Sequence, residues 1–318
     1  MSDAQKAPLI IIVGPTATAK TELAVLLAER AGGEIVSADS VQVYRHFDKG
    51  SGKPSVEERA RAPHHLIDIR DPLEPLEAKQ WAELAQEKIN EIRTRGGVPI
   101  VCGGTFLWVR ALIFGLAEAP AGDAGIRERH REMAQAEGRA ALHRKLQEVD
   151  PVSAQRLHEN DFVRVSRALE VHEISGTPLS TLQQRHGFRE PRFSARLVSV
   201  DWERSQYEER LRKRVLAMLE AGWVEEVREL IKRGYVTARA MDTVGYRQVR
   251  AALETREGEA ELNVDELALA ITQVTRVFAR RQRTWLRDEE ILRFPAGDLQ
   301  NVARIEALLG ELQKSATS

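Results

Sequence analysis

The chain has 318 residues, of which 42% are hydrophobic and 30% are charged, a composition that favours a soluble enzyme over a disordered or membrane-embedded protein. Its single cysteine excludes an internal disulfide bond and a cysteine-based zinc site, which is typical of a reducing cytoplasm. The 47 basic and 48 acidic side chains give a net charge of −1, so any nucleic-acid binding must depend on local basic patches. No apolar stretch approaches the roughly 20 residues that span a membrane, and we expect a cytoplasmic protein without membrane contact.

The first predicted strand, residues 9–13, leads into a turn of small residues, 14–21, and then into a helix. Backbone N–H groups of such a turn bind anions, and the helix N-terminus adds partial positive charge. We therefore predict a phosphate-binding loop, with Lys20 neutralising phosphate oxygens and Thr21 binding Mg²⁺; an ordinary strand-to-helix turn is the alternative. Ala19 stands where the pattern has glycine, so its methyl group would crowd the anion and penalise a positive φ. The residues predicted to bind phosphate groups here are Gly14, Thr16, Ala17, Thr18, Ala19, Lys20 and Thr21.

Short β-branched runs recur along the chain, and helical sequence separates them. This alternation predicts an α/β fold whose parallel sheet is flanked by helices, with the ligand at the carboxyl ends of the strands. From residue 121 to 192 the strand pattern stops, which predicts an all-helical insertion domain in a core made of residues 1–120 and 193–318. The predicted strands are residues 9–13, 34–37, 98–102, 195–200 and 290–294, and a long final helix is predicted from about residue 265 to 287.

Polar residues follow the second and third predicted strands. Asp39 is placed either to accept a proton or to orient a metal ion through water, and the alternative is a carboxylate that caps the following turn. The Gly-Gly-Thr sequence at residues 103–105 offers close backbone approach and a hydroxyl group, although it is a weak motif alone. The pair His64 and His65 lacks a third metal ligand at a useful spacing, so structural hydrogen bonding is favoured.

Arginines recur every three or four residues along the predicted final helix, and no acidic residue interrupts residues 275–287. Such a stripe favours contact with an anionic polymer backbone, because arginine makes bidentate phosphate contacts and displaces counterions. A solvated helix face is the alternative. The stripe comprises Arg276, Arg280, Arg283 and Arg287, and the opposite, apolar face is predicted to comprise Leu267, Ile271, Val274 and Phe278.

Two further arginine pairs share helical faces. Arg164 and Arg167 form a second basic patch, in the predicted insertion domain. Arg210 and Arg214 lie four residues apart after the fourth strand, where both could meet a pyrophosphate or pair with neighbouring glutamates.

Read in order, these motifs resemble the tRNA dimethylallyltransferase (IPP transferase) family, and the match is collinear over nearly the whole chain. The resemblance implies a P-loop NTPase-like core that transfers a dimethylallyl group from dimethylallyl diphosphate to the N6 amine of adenosine 37, in tRNAs reading codons that begin with U. The chain lacks the zinc-finger extension of eukaryotic relatives, which favours the bacterial type. The matching segments are residues 14–21, 37–45, 53–54, 63–68, 103–105, 160–161, 167–171, 244–248 and 281–285.

The resemblance also assigns roles to residues. Asp39 matches the general base and Thr105 the hydroxyl residue near the reaction centre, while Lys20, Mg²⁺ on Thr21 and Arg214, with Arg210, match the groups that hold the diphosphate. The insertion domain is expected to contact the tRNA anticodon arm. The positions that match tRNA contacts are Asp39, Ser40, Val41, Gln42, Thr105, Arg127, Val163, Arg164, Val165, Ser166, Arg167, Asp242, Thr243, Val244, Gly245, Tyr246, Arg247, Thr275, Arg276, Val277, Phe278, Ala279, Arg280, Arg281 and Gln282.

Four positions depart from the family pattern: Ala19 replaces glycine, Val41 replaces a usual arginine, and Phe106 and Trp108 stand where glycine and tyrosine are common. A small-molecule kinase and a non-catalytic RNA-binding protein on a degenerate scaffold remain the rival interpretations. A helical isoprenoid synthase is disfavoured because the Asp-Asp-x-x-Asp motif is absent from the sequence. We expect a monomer, since no long apolar helix face is left unaccounted for.

Overall fold

The computed structural model describes residues 9–187, 191–192, 194–254, 262–287, 290–298 and 300–316. The chain divides into two compact units. One unit comprises Met1–Ile113 with Arg192–Ser318, and the other is Phe114–Pro191. The sequence-based boundaries for the second unit were residues 121 and 192.

A six-stranded parallel sheet forms the centre of the first unit. Its first strand is an uninterrupted apolar run in which every residue is fully buried, as expected for a strand covered on both faces. The strand order is β3-β2-β4-β1-β5-β6, so the strand before the phosphate-binding loop has neighbours on both sides. The predicted α/β fold with a parallel sheet is confirmed. The strands are β1 (Leu9–Val13), β2 (Gly33–Ser37), β3 (His64–His65), β4 (Val98–Gly103), β5 (Ala195–Asp201) and β6 (Ile291–Pro295).

Helices flank this sheet. The core under one face joins β1, β4 and β5 to the first helix and the last one, with Ile12, Leu27 and Ile305 fully buried. No helix in the described ranges is long and apolar enough to cross a membrane. The helices of this unit are α1 (Lys20–Ala31), α2 (Val56–Arg61), α3 (Ala78–Thr94), α4 (Phe106–Phe114, which ends at the unit boundary), α10 (Arg204–Glu220), α11 (Trp223–Lys232), α12 (Tyr246–Glu254), α13 (Val264–Trp285) and α14 (Asn301–Ala316), with short 3₁₀ turns at Tyr235–Thr237 and Arg239–Asp242.

The second unit is helical over residues 114–187. Three of its helices begin at aspartates whose side chains accept from backbone N–H groups of the first turn, at Asp123, Asp150 and Asp161. A small apolar core that includes Leu146 and Val165 joins them. The helices are α5 (Ala124–Ala136), α6 (Arg139–Val149), α7 (Pro151–Arg156), α8 (Phe162–Ser175) and α9 (Leu179–His186).

Two elements were missed by the sequence analysis. The strand β3 consists of the histidine pair and adds an edge to the sheet beside β2. His65 Nε2 lies 2.6 Å from Glu34 Oε2, and His64 Nδ1 lies 2.8 Å from the carbonyl oxygen of Ala62, so the predicted structural hydrogen bonding is confirmed. The helix α14 packs against α1 and contributes to the core.

Candidate active site

The phosphate-binding loop connects β1 to α1 at the carboxyl edge of the sheet. Ala17 and Ala19 have φ values of 63° and 62°, in the left-handed region that favours glycine. The strained backbone predicted at Ala19 is therefore observed, and Ala17 shares it. Each such residue costs about 1–2 kcal/mol relative to glycine, a strain that the surrounding structure must hold.

Lys20 and Thr18 fold back onto the start of this loop. Lys20 Nζ donates to the carbonyl oxygen of Pro15 at 2.5 Å, and the buried Thr18 hydroxyl donates to the same oxygen at 2.9 Å. Burial, with a smaller contribution from the nearby Arg214, lowers the pKa of Lys20 to about 8, although Asp39 acts in the opposite direction. Two cations and a carboxylate from separate elements therefore meet at the loop.

Thr16, predicted to bind a phosphate group, forms hydrogen bonds within the protein. Its backbone N–H, which the sequence placed in the phosphate cradle, donates to Gln282 Oε1 at 3.0 Å. Its carbonyl oxygen accepts from the Tyr207 hydroxyl at 3.0 Å. Both backbone groups of Thr16 are thus engaged within the protein, and its contact with a diphosphate stays a prediction.

Asp39 lies just beyond β2 and uses one carboxylate oxygen to stabilise its own turn. Its Oδ1 accepts from the backbone N–H groups of Val41 and Gln42 at 2.9 and 3.2 Å. The capping interpretation therefore holds for this oxygen. The other oxygen, Oδ2, has no hydrogen-bond partner among the described residues. Capping and proton transfer are compatible, because they use different oxygens.

Thr105 lies beside this turn. Its hydroxyl oxygen accepts from the Ser40 backbone N–H at 3.0 Å, and its own N–H donates to the carbonyl oxygen of Ala38 at 3.1 Å. The loops after β2 and β4 are therefore joined, as expected for neighbouring parallel strands. Polar groups from both loops line one edge of the sheet.

Gln42, predicted to contact tRNA, connects two parts of the same loop. Its Oε1 accepts from the Ser37 hydroxyl at 3.1 Å, and its Nε2 donates to the carbonyl oxygen of Gly52 at 3.1 Å. Its neighbour Val41 is half-buried. The side chain of Gln42 therefore forms hydrogen bonds within the protein, and its RNA contact stays a prediction.

The two arginines of α10 have different surroundings. Arg214 lies close enough to Asp39 and Glu58 for their charges to favour its own, although desolvation lowers the pKa of its guanidinium. Arg210 instead stacks on an indole ring, with its guanidinium carbon 3.5 Å from the Trp202 ring centroid. Arg214 is thus placed with Lys20 and Asp39, while the contact of Arg210 with a diphosphate stays a prediction.

The outer surface of α13 differs from the prediction. The apolar face was expected to include Phe278, which is 40% exposed. The buried positions of this helix include Thr275, Ala279 and Gln282, whose contact with RNA stays a prediction. The arginine stripe is also divided. Arg280 and Arg281 are exposed and have no partner in the described part of the chain.

Two other arginines of that stripe are paired with acids from elsewhere. Arg276 pairs with Glu208 at 2.6 Å, and Arg283 makes a bidentate pair with Asp201 at 2.7 and 2.9 Å. The acid-free run of residues 275–287 therefore does not produce an acid-free surface. Arg287 lies beyond the end of the helix and is exposed.

The segment from residue 242 to 247 contains both buried and exposed side chains. Tyr246 is buried and its hydroxyl donates to Glu226 Oε1 at 2.7 Å, and its contact with RNA stays a prediction. Asp242 pairs with Arg250 at 2.9 Å. Arg247 is exposed. Arg247 is therefore an exposed basic group of this segment, and its contact with RNA stays a prediction. The other predicted positions here, Thr243, Val244 and Gly245, are half-buried or buried.

The basic patch of the helical unit surrounds a buried acid. Arg127 and Arg167 both pair with Glu170, whose carboxylate is fully buried. Burial alone would raise the pKa of Glu170, but hydrogen bonds from Arg167 and Arg127 hold it below its usual range. Arg164 is exposed and pairs with Asp161 at 3.5 Å. Among the adjacent positions, Val163 is 75% exposed, whereas Val165 and Ser166 are buried. The contacts of all three with RNA stay predictions.

Two residues that sequence reasoning did not assign to the site, Tyr207 and Asp201, support it, together with Gln282, which was predicted only as a tRNA contact. Tyr207 and Gln282 hold Thr16, and Asp201 holds Arg283, whose guanidinium carbon lies 4.2 Å from the Tyr207 ring centroid. Asp201 is the last residue of β5. The expectation that ligand-binding residues lie at the carboxyl ends of the parallel strands therefore pointed to Asp201 as well. The resemblance pointed to Gln282 as a tRNA contact, and nothing in the sequence predicted its hydrogen bonds to Thr16 and Gly104.

Comparison with known proteins gives a consistent result. The family described as "IPP transferase" matches residues 42–289. The chain is 59% identical to the tRNA dimethylallyltransferase of Sorangium cellulosum, over 89% of this chain and 88% of that protein. Its fold matches the crystal structure of the tRNA isopentenylpyrophosphate transferase of Bacillus halodurans with a TM-score of 0.70 and 32% identity, over 98% of both chains.

A eukaryotic dimethylallyltransferase, whose structure was determined acting on tRNA, has the same fold. Its TM-score is 0.78 at 23% identity, over 95% of this chain and 78% of that one. At that identity the likeness concerns the fold alone. The family profile covers most of the chain, and the sequence identity to the bacterial relative extends over nearly all of it. This chain therefore belongs to the IPP transferase family, that of the tRNA dimethylallyltransferases.

Proposed function

We propose that this chain transfers the dimethylallyl group of dimethylallyl diphosphate to the N6 amine of adenosine 37, in tRNAs that read codons beginning with U. The observation that carries the proposal is the meeting of Lys20, Arg214 and Asp39 at the carboxyl edge of the sheet. Cations there suit a departing diphosphate, and the carboxylate suits an amine that must lose a proton. Membership of the IPP transferase family supports the same reaction.

The donor side of the site is the phosphate-binding loop. Lys20 and Arg214 would bind the diphosphate oxygens, and the N-terminus of α1 adds partial positive charge. Negative charge grows on the leaving diphosphate during the transfer. Charges fixed at that place before the reaction stabilise the transition state, since they need no reorganisation.

The donor groups of the loop suit Mg²⁺. Thr21 is half-buried in the first turn of α1, and its hydroxyl has no hydrogen-bond partner among the described residues. No cluster of three or more His, Cys, Asp or Glu side chains able to hold a metal occurs in the described ranges, so Thr21 and the diphosphate itself would supply the oxygen ligands. Bound Mg²⁺ would neutralise part of the diphosphate charge.

The acceptor side is the turn that contains Asp39, Ser40 and Thr105. In the reaction the bond between the prenyl carbon and the diphosphate oxygen breaks, and a bond from the adenine N6 to that carbon forms. The N6 proton passes to Asp39, whose Oδ2 is not engaged by the described residues. The exocyclic amine is a weak nucleophile, so a carboxylate that accepts its proton increases the rate.

The RNA would be held by exposed arginines in both units. Arg280 and Arg281 on α13, Arg247 and, in the helical unit, Arg164 are available at the surface for phosphate contacts. The target adenine must leave its stack to reach Asp39, which costs a few kcal/mol that these contacts would offset. A cytoplasmic location follows from a tRNA substrate. The monomeric state expected from the sequence stays a prediction, which light scattering tests.

The experiment combines the purified protein with dimethylallyl diphosphate, Mg²⁺ and an unmodified tRNA carrying three adenosines from position 36. Nucleoside mass spectrometry then detects N6-isopentenyladenosine. Its appearance, dependent on all three components, supports the proposal. ATP turnover without RNA would favour the small-molecule kinase, and tRNA binding without prenylation would favour an RNA-binding relative on the same scaffold.

A further inference from the structure

One glutamine near the end of α13 connects two loops of the site. Gln282 is only 6% exposed, and both ends of its amide are engaged. Its Oε1 accepts from the backbone N–H of Thr16 at 3.0 Å, and its Nε2 donates to the carbonyl oxygen of Gly104 at 3.0 Å. Thr16 belongs to the phosphate-binding loop, whereas Gly104 precedes the acceptor-side Thr105. A single side chain therefore spans the donor and acceptor sides.

The chemistry of this link requires an amide. One loop presents a donor and the other an acceptor, and only asparagine and glutamine carry a carbonyl oxygen and an NH₂ group at one terminus without charge. A carboxylate would face the Gly104 carbonyl with a second acceptor. A lysine would face the Thr16 N–H with a second donor. The buried position leaves neither mismatch accessible to water.

The second glycine of the Gly-Gly-Thr sequence provides the space for the amide. A Cβ atom at Gly104 would lie 2.7 Å from Gln282 Nε2, a distance that real Cβ atoms do not show. The same Cβ would lie 3.5 Å from the carbonyl oxygen of Gly14, an ordinary contact. Gly104 is therefore needed mainly for the approach of this glutamine.

A tyrosine completes the support of Thr16 from another helix. The Tyr207 hydroxyl, on α10, donates to the Thr16 carbonyl oxygen at 3.0 Å, and the Tyr207 ring lies under the guanidinium of Arg283. Arg283 is fixed in turn by its bidentate pair with Asp201. Side chains from two helices thus hold the backbone of Thr16 on both sides.

We propose that Gln282 is a positioning residue, which keeps the diphosphate-binding loop in a fixed place relative to the turn of Asp39 and Thr105. The proposal rests on the transferase function proposed above. Transfer requires the prenyl carbon and the adenine amine to approach in line, and a misplacement of about 1 Å can cost on the order of 10²-fold in rate. Removing the amide frees both loops, so Gln282 acts through the positions of Thr16 and Gly104.

The test replaces Gln282 by methionine, which has similar volume and forms neither hydrogen bond. Gln273→Met is the matched control, because Gln273 is an exposed glutamine of the same helix. For Gln282→Met we expect kcat to fall on the order of 10²-fold and the Kd of inorganic pyrophosphate, measured by calorimetry, to rise about tenfold. The tRNA Kd should stay within about twofold. Gln273→Met should match the wild type in all three measurements.

The pyrophosphate titration also counts the folded sites, so kcat is expressed per site that binds. An unchanged kcat per site overturns the proposal, and so does a loss of kcat that follows only a weaker tRNA Kd. If Gln282→Met fails to fold, Gly104→Ala displaces the same amide from the other loop and is expected to give the same fall in kcat and weaker pyrophosphate binding. A wild type that does not prenylate tRNA would disprove the proposed function, and the pyrophosphate Kd would then decide the inference: equal affinity in wild type and variant overturns it.

Discussion

The phosphate-binding loop and the outer surface of α13 differ in how firmly their functional groups are held. In the loop, Lys20 and Thr18 donate to one carbonyl oxygen, two helices hold Thr16, and two alanines keep a left-handed backbone. On α13, Arg280 and Arg281 are exposed with no partner in the described ranges, beside an exposed Phe278. One region is shaped by the protein before a ligand binds, and the other is not.

This difference matches what each region is proposed to do. Stabilising a leaving diphosphate requires charges fixed in place, since reorganisation during the reaction would cost rate. Binding a large RNA requires long cationic side chains that adapt to a phosphate backbone, and each contributes a small amount. The comparison predicts that changes in the loop and its facing turn alter the chemistry, while changes on α13 alter affinity and its salt dependence.

The largest effect is expected at Asp39, where two variants separate its two oxygens. Asp39→Ala removes the turn cap and the base, whereas Asp39→Asn keeps an oxygen for Val41 and Gln42 and cannot accept the proton. We expect both to lower kcat by roughly 10²- to 10⁴-fold with little change in tRNA affinity. Thermal unfolding should separate them, because only Asp39→Ala loses the cap, at a cost of about 1 kcal/mol.

Full activity of Asp39→Asn alongside an inactive Asp39→Ala would reduce Asp39 to a structural cap. Recovery of the Asn variant at high Mg²⁺ concentration would instead assign the carboxylate to orienting the metal. Either result would move the general base elsewhere in the site.

The next effect concerns pH. Burial lowers the pKa of Lys20 to about 8, so in the free protein Lys20 loses its proton as pH rises through that value. A bound diphosphate favours the ammonium form. Binding is therefore strongest below pH 8, and we expect the pyrophosphate Kd to rise about tenfold per pH unit above it.

Lys20→Arg is the control for this profile. Arginine keeps its charge throughout the range, so its Kd should follow only the titration of pyrophosphate itself. Calorimetry between pH 6.5 and 9.5 provides both profiles. Parallel curves for wild type and variant would mean that Lys20 remains charged, contrary to its buried position.

The sequence analysis predicted best the features that follow from the order of strands and helices along the chain. The strand ends that carry Lys20, Asp39 and Thr105 were found because parallel strands end at the same edge of a sheet. The pairing of Arg283 with Asp201 could not be found this way, since the partners are far apart in sequence. The same applies to Gln282, whose buried amide is explained only by Thr16 and Gly104 beside it.

The helical periodicity also gave one wrong prediction. It placed Phe278 in the core, but α13 buries the face of Thr275, Ala279 and Gln282, and side-chain size alone did not reveal that choice. Where a helix packs against a loop of small residues, short and polar side chains occupy the interface. Hydrophobicity is then a weak guide to the buried face.

A smaller effect is expected on α13. The double variant Arg280→Ala with Arg281→Ala should reduce the slope of log Kd against log salt concentration by about two, one for each arginine, and leave kcat largely intact. Arg276→Ala should change the slope less, because this arginine already pairs with Glu208. Filter binding of tRNA at several salt concentrations measures both.

An unchanged slope in the double variant would make the α13 surface an ordinary solvated helix face. An Arg276→Ala effect as large as that of each unpaired arginine would show that the ion pair with Glu208 opens on RNA binding. The two outcomes distinguish an absent interface from one that rearranges.

The smallest effect is expected at the strained backbone of the phosphate-binding loop. The two residues that flank α1 form a matched pair for testing it. Ala19 before the helix and Gly32 after it have nearly the same left-handed φ, 62° and 60°, and nothing within 4 Å would contact a Cβ at Gly32. Ala19→Gly should therefore stabilise the protein by about 1 kcal/mol, and Gly32→Ala should destabilise it by about as much, each shifting Tm by about 2 °C. Pyrophosphate affinity should rise only for Ala19→Gly, because only that methyl group faces the anion. If affinity is equal in both forms, the alanine is neutral for binding, and the strain at the loop is a matter of stability alone.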